Sequence, residues 1–158
     1  MIPVRIVDLV SDFQKATVVL EDVEQRIRFA FTTNPQETHR LAKEMGRTRC
    51  RCNPVYDFIQ SLLGPLDATI SRVVLDDTGR GIRALVYLQR KEAELTIPCY
   101  PPDALALALR EKVPVYATGE VLAQAERLSP SGSLPLGPPE VRQWLKRVRP
   151  ADFSSGTT

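Results

Sequence analysis

Histidine is almost missing from this sequence: His39 is the only one in 158 residues. A metal centre built on two histidines, or a pair of imidazoles trading protons, is therefore excluded. Cysteine is scarce and odd in number, with Cys50, Cys52 and Cys99 alone. A C-x-C pair plus one distant thiol makes no disulfide framework, and zinc motifs need the wider C-x-x-C spacing. The thiols are expected to stay reduced, as in the cytoplasm. No apolar run reaches transmembrane length, and Met1-Ile2-Pro3-Val4-Arg5 does not open like a signal peptide. The expectation is a cytoplasmic chain without a membrane partner. Neither sign of charge prevails, with 21 basic against 19 acidic residues. That balance gives no global attraction for polyanions and leaves room only for a local basic patch. No glycine-rich phosphate loop and no Ser–His–Asp order is present, and Gly79-Arg80-Gly81 fits a hairpin turn.

What the sequence does have is apolar residues in sufficient number, 43%, for one domain with a sizeable core, and thirteen prolines that punctuate it. Its most telling stretch runs from Ile97 through Cys99, Tyr100, Pro101, Pro102 and Asp103 to Arg110. It reads as a strand end, a proline corner and an apolar helix. Pro101 suits the first helical position, and Asp103 in the first turn suits the helix dipole. With every residue of 104–109 apolar, this helix should be buried almost all round.

Strands are expected over 4–10, 16–20 and 26–32. In the third, Ile27, Phe29 and Phe31 alternate with Arg28, Ala30 and Thr32. Asn34, Pro35 and Glu37 then form a cap, an N1 proline and a capping-box acid, opening a helix that Gly46 ends. Residues 47–52 are a short basic strand or loop. Asn53-Pro54 repeats the cap-plus-proline opening for a helix over 55–63, stopped by Gly64-Pro65. Strands follow at 68–75, 82–88, 93–98 and 113–117, with helices from the proline corner and over 121–128. Residues 129–138 have linker composition. Within 139–153, Val141, Trp144, Leu145 and Val148 make one apolar helical stripe. Residues 154–158 are expected to be disordered.

The two halves match at a constant spacing of 66 residues, which pairs Glu37 with Asp103, Pro35 with Pro101, Phe29 with Leu95, Leu41 with Leu107 and Val55 with Val121. This reads as two copies of a β-β-β-α-β-α unit, about 2–65 and 68–128. The predicted fold is α+β, internally duplicated, with helices packed on sheet faces over 1–128.

Several blocks resemble the bacterial bifunctional nuclease family. They are Val4-Arg5-Ile6-Val7, the run from Pro101 and Asp103 to Arg110, Val113-Pro114-Val115-Tyr116 with Glu120-Val121-Leu122, and Trp144-Leu145 with Arg149-Pro150-Ala151-Asp152-Phe153. The resemblance implies an α+β fold with an internal repeat and hydrolysis of DNA and RNA, and the first reading is such a nuclease acting on nucleic acid as a homo-oligomer. The sequence departs from the family at its polar motifs. Tyr100-Pro101-Pro102-Asp103 stands where the family has Arg-Pro-Ser-Asp, Tyr56 stands at a histidine position, and Thr33-Asn34 replaces Ile-Gly. Glu37, Asp57 and Asp103 are kept.

Phosphodiester hydrolysis needs an activated water and neutralisation of the phosphate charge, which carboxylates holding Mg²⁺ or Mn²⁺ supply. Glu37, Asp57 and Asp103 are the candidate catalytic and metal-binding residues, with His39 as a candidate base one helical step from Glu37. No organic cofactor is expected. Arg47, Arg49 and Arg51 alternate, so a strand would align them against a phosphate backbone. Tyr56 and Tyr100 are candidates for stacking on bases. Plainer roles remain open for each: helix caps for Glu37 and Asp103, solvated helix positions for Asp57 and His39, a charge-guarded edge for the arginines and space filling for the tyrosines. The alternative to a nuclease is a catalytically inactive member that binds nucleic acid or protein, and a third reading is a role in assembly alone.

Overall fold

The structure, a computed structural model, describes residues 1–46 and 53–128. The expected features at 47–52, 129–138, 139–153 and 154–158 lie outside the described residues. The chain divides into two compact units, Met1–Glu126 and Arg127–Thr158. The first is a mixed α+β fold.

Its elements are β1 (Ile2–Ser11), β2 (Ala16–Asp22), β3 (Arg28–Thr33), α1 (Pro35–Glu44), α2 (Pro54–Leu63), β4 (Ala68–Asp77), β5 (Ile82–Arg90), β6 (Ala93–Cys99), α3 (Pro101–Glu111), β7 (Val115–Ala117) and α4 (Gly119–Leu128). Order and type follow the sequence reading; the last strand, expected over 113–117, is only Val115–Ala117, while most strands run a few residues beyond their expected ends. The reason is pairing: β1 continues to Ser11 because Ser11 lies opposite Ala16, and β4 to Asp77 because Asp77 lies opposite Ile82. The third strand instead starts later, at Arg28. Asp22 takes the amides of Arg26 and Ile27 on its carboxylate, both at 2.7 Å, and folds those residues into the preceding turn.

The strands form one seven-stranded sheet in the order β3-β2-β1-β7-β4-β5-β6. Two antiparallel meanders, β1-β2-β3 and β4-β5-β6, flank the three-residue β7, which pairs antiparallel with β1 and parallel with β4. Register sorts the side chains onto two faces. Ile6, Leu20 and Phe29 align across the first meander, and Val73, Val86 and Ile97 across the second. This face carries the core, with α1 against β1 and β2 and α3 against β4, β5 and α1. The opposite face is charged. Arg5, Glu21 and Arg28 make one cross-strand row, and Arg72 stacks on Tyr87 while pairing with Glu94.

Helix α3 is the centre of the core. Pro101, Pro102 and Ala104 through Ala108 are all buried. Burial all round fails at Leu109, which is exposed because the last turn of α3 opens onto a groove between Val4, Leu20 and Val115. Lys112 then closes the helix in the left-handed region, at φ 55°. A second expectation fails at Asn53. It precedes α2 but makes no side-chain cap; its amide instead donates to Glu44 Oε1 at 2.7 Å and to the Arg40 carbonyl at 3.2 Å. With Pro54 at the first position the helix offers one amide fewer to cap, and the Asn53 side chain serves better as a tie to α1.

Candidate active site

Three acidic residues were expected to do related work, and the fold gives each a different environment. Glu37 is a capping-box acid. Asn34 Oδ1 accepts the Glu37 amide at 3.0 Å, and Glu37 Oε2 accepts from the Asn34 amide and from the Thr33 hydroxyl. These bonds commit Glu37 to the start of its own helix. His39 stands exposed on α1, outside this set of bonds.

Asp103 occupies the equivalent place in α3 but is not a cap acid. Tyr100, at the N-cap, makes no side-chain cap bond. Asp103 Oδ1 instead accepts the Tyr56 hydroxyl of α2 at 2.6 Å. Tyr56 is 2% exposed, so its ring is a core element and not a platform for bases, which corrects the stacking role expected of it. Burial, first, and the Asp103 carboxylate, second, push the Tyr56 hydroxyl well above its ordinary value. It stays protonated and donates at any ordinary pH. Asp103 is half-buried, and its Oδ2 accepts no hydrogen bond among the described residues. Cys99 lies beside it. Burial and the Asp103 charge raise that thiol, so it is no ready nucleophile.

Asp57, one residue on from Tyr56, faces the other way and binds Arg110 Nη1 at 2.5 Å. Arg110 also reaches Glu44, with Nη2 to Oε1 at 3.0 Å. Its side chain is almost enclosed, as is that of Glu44, whereas Asp57 is mostly exposed. Arg110 thus ties α1, α2 and α3 together, and the buried cation is balanced by two carboxylates. Arg110 and Glu44 were not singled out from sequence. A signal was there: they are 66 residues apart, the spacing of the two halves, and opposite in charge.

Asp103 and Tyr56 therefore meet, Asp57 stands on the same helix as Tyr56, and Glu37 is bonded within its own cap. Tyr100 is about half exposed at the corner, free of side-chain bonds to the cap. Arg47, Arg49 and Arg51 lie outside the described residues. Among the described residues no group of three or more His, Cys, Asp or Glu stands close enough to hold a metal ion. No helix among them is long and apolar enough to cross a membrane.

A family model of the bifunctional nuclease domain matches residues 18–129, from β2 through α4. The chain belongs to the bifunctional nuclease domain family. No curated protein matches it. The family match covers Glu37, Asp57 and Asp103 and every polar contact of the site just described. Membership gives this bifunctional nuclease domain a nuclease-related function and an affinity for nucleic acid.

Proposed function

We propose that this bifunctional nuclease domain hydrolyses phosphodiester bonds of DNA or RNA, and that Asp103 is its general base. The observation that carries the reading is the Tyr56–Asp103 hydrogen bond. A neutral, immobile donor fixes one oxygen of the carboxylate and leaves the other for an attacking water. Asp57, held by Arg110, is the second carboxylate of the proposal and stands in α2's first turn next to Tyr56. Arg47, Arg49 and Arg51 are the proposed phosphate contacts, with Tyr100 the aromatic left exposed to meet a base. The described carboxylates do not gather into a three-ligand metal centre. Divalent-ion assistance therefore takes one form in this proposal: Mg²⁺ or Mn²⁺ would arrive with the substrate phosphate and offset its charge, leaving Asp103 Oδ2 for the water.

The proposal extends to a homo-oligomer in the cytoplasm built from a duplicated unit. The reading of duplication is supported by the pairing of Glu44 with Arg110. Positions 66 apart that touch each other lie where an internal two-fold axis would pass. A second reading, a non-catalytic binding module, is favoured by one observation: Glu37, the family's retained acid in the first half, is bonded into its cap.

Purified protein incubated with single-stranded RNA or DNA, with and without Mg²⁺ or Mn²⁺, separates the two readings. Degradation that falls by about 10²-fold or more in Asp103→Asn, the usual scale for general-base loss, and survives in Glu37→Gln supports the nuclease. Binding without cleavage supports the module, and cleavage unchanged in Asp103→Asn overturns the role of Asp103.

A further inference from the structure

We infer that Arg40 of α1 is the residue that receives the substrate phosphate and sets it opposite Asp103. The inference rests on the nuclease reading of Asp103 and supplies the cation which that reading needs. A carboxylate base and a phosphodiester are both anions, so they repel unless a positive charge stands beside them. Arg110 is not that charge, because Glu44 holds it at 3.0 Å and Asp57 at 2.5 Å.

Arg40 is placed by the meeting of three helices. The side-chain amide of Asn53, at the head of α2, donates to the Arg40 carbonyl at 3.2 Å, so this turn of α1 lies against the start of α2. Tyr56 comes three residues after Asn53, on the same side of α2, and donates to Asp103 of α3. Burial and the Asp103 carboxylate push the Tyr56 hydroxyl up, and the Arg40 charge acts on it in the opposite sense, so the guanidinium is close enough to be felt at the Tyr56–Asp103 pair.

Arg40 also has no anion of its own. The natural partners of a helical arginine are carboxylates three or four residues away, and α1 has one on each side, Glu37 and Glu44. Glu37 is bonded into its cap, and Glu44 binds Asn53 and Arg110. The Arg40 side chain makes no hydrogen bond or ion pair with any described residue. A solvated surface arginine is ordinary. This one is partly buried, faces a hydrogen-bonded acid, and has both helical carboxylates engaged elsewhere, which leaves it for an anion from outside. Its planar fork suits two oxygens of one phosphate.

The test is binding of a fluorescein-labelled single-stranded DNA oligonucleotide to the full chain carrying Asp103→Asn, without divalent ions, over a series of salt concentrations. Asp103→Asn keeps the strand uncut, so binding is read apart from cleavage. Adding Arg40→Gln is expected to weaken binding about tenfold, the scale of a lost hydrogen bond to a charged group. It is also expected to reduce the slope of log affinity against log salt by about 0.7, the value for one phosphate contact on a single strand. Arg40→Lys is expected to keep the slope and recover part of the affinity, because the charge stays and the fork is lost. No binding at low salt, or unchanged affinity and slope in Arg40→Gln, overturns the inference. So does an affinity loss with the slope intact, which a merely structural role would give. Should the wild type cut nothing while Arg40→Gln loses affinity and slope together, the nuclease reading falls and the phosphate contact stands. If Arg40→Gln does not fold, Arg40→Lys decides: reduced affinity at the original slope supports the contact, and unchanged affinity overturns it.

Discussion

Positions 66 residues apart carry similar side chains and meet opposite surroundings. Phe29 on β3 is 4% exposed, whereas Leu95 on β6 is 46% exposed. Val121 on α4 is 2% exposed, whereas Val55 on α2 stands out in solvent. Glu37 is bonded to its own helix, whereas Asp103 is bonded to a tyrosine from another. The first meander is thus closed at its edge where the second is open, whereas among the helices the exposed member, α2, lies in the first half and the buried one, α4, in the second. Both acids are held through one oxygen, Glu37 Oε2 and Asp103 Oδ1, and they differ in the partner: backbone and hydroxyl donors of its own helix start for Glu37, a buried tyrosine of another helix for Asp103. The candidate site draws on both halves, with Tyr56 and Asp57 from the first and Asp103 and Arg110 from the second.

The largest expected effect breaks or upholds this contrast directly. Phe29→Ala should destabilise the fold by about 3–5 kcal/mol, the range for emptying a well-packed aromatic site. Leu95→Ala, at the matching position, should stay within about 0.5 kcal/mol, as exposed substitutions do. Urea denaturation of both variants checks the pair at protein concentrations low enough to exclude self-association. Equal losses would show that the β6 edge is packed after all.

Most of the architecture was legible because it is written in short-range signals. Alternation marked β3, the Asn34–Pro35–Glu37 box marked α1, and Pro101 with Asp103 marked α3. The site was less legible because its contacts are long-range. Nothing local to Tyr56 says that its hydroxyl will find an acid 47 residues on, and the histidine that the family has at that position suggested a polar, exposed role. Asn53 followed the same helix-start pattern as Asn34 but was recruited by Glu44 instead, a choice made by the docking of α2 on α1 and not by the tripeptide. Arg110 follows the apolar run and precedes Glu111 and Lys112, so it reads as part of a solvated helix end.

The helix starts give a smaller test. Asn34→Ala removes a cap that is made in the structure and should cost about 1 kcal/mol. Tyr100→Ala removes a residue that caps nothing through its side chain and should cost clearly less. Thermal unfolding of the two variants at one pH measures the difference. A loss at Tyr100 as large as that at Asn34 would mean that the exposed ring packs on the corner, and it would weaken its proposed use against a base.

The smallest expected effect lies on the charged face of the sheet, where each meander carries one cross-strand glutamate. Arg28, at 2.7 Å, and then Arg5, at 3.2 Å, hold the Glu21 carboxyl below its ordinary 4.5. Arg72 does the same for Glu94, through two bonds of 2.7 and 2.9 Å. A carboxyl whose value is lowered by folding adds stability that is complete above the unfolded value and is lost as pH falls through the folded one. The urea midpoint of the wild type should therefore drop as pH descends below about 4.5. Glu21→Gln should flatten that descent more than Glu94→Gln, because two guanidinium groups favour the charged form at Glu21 and one does so at Glu94. Glu21 is also enclosed where Glu94 is open to solvent, so added salt should erase the Glu94 contribution first. If the two variants flatten the acid limb equally and respond alike to salt, the closed and open halves differ only in their apolar face.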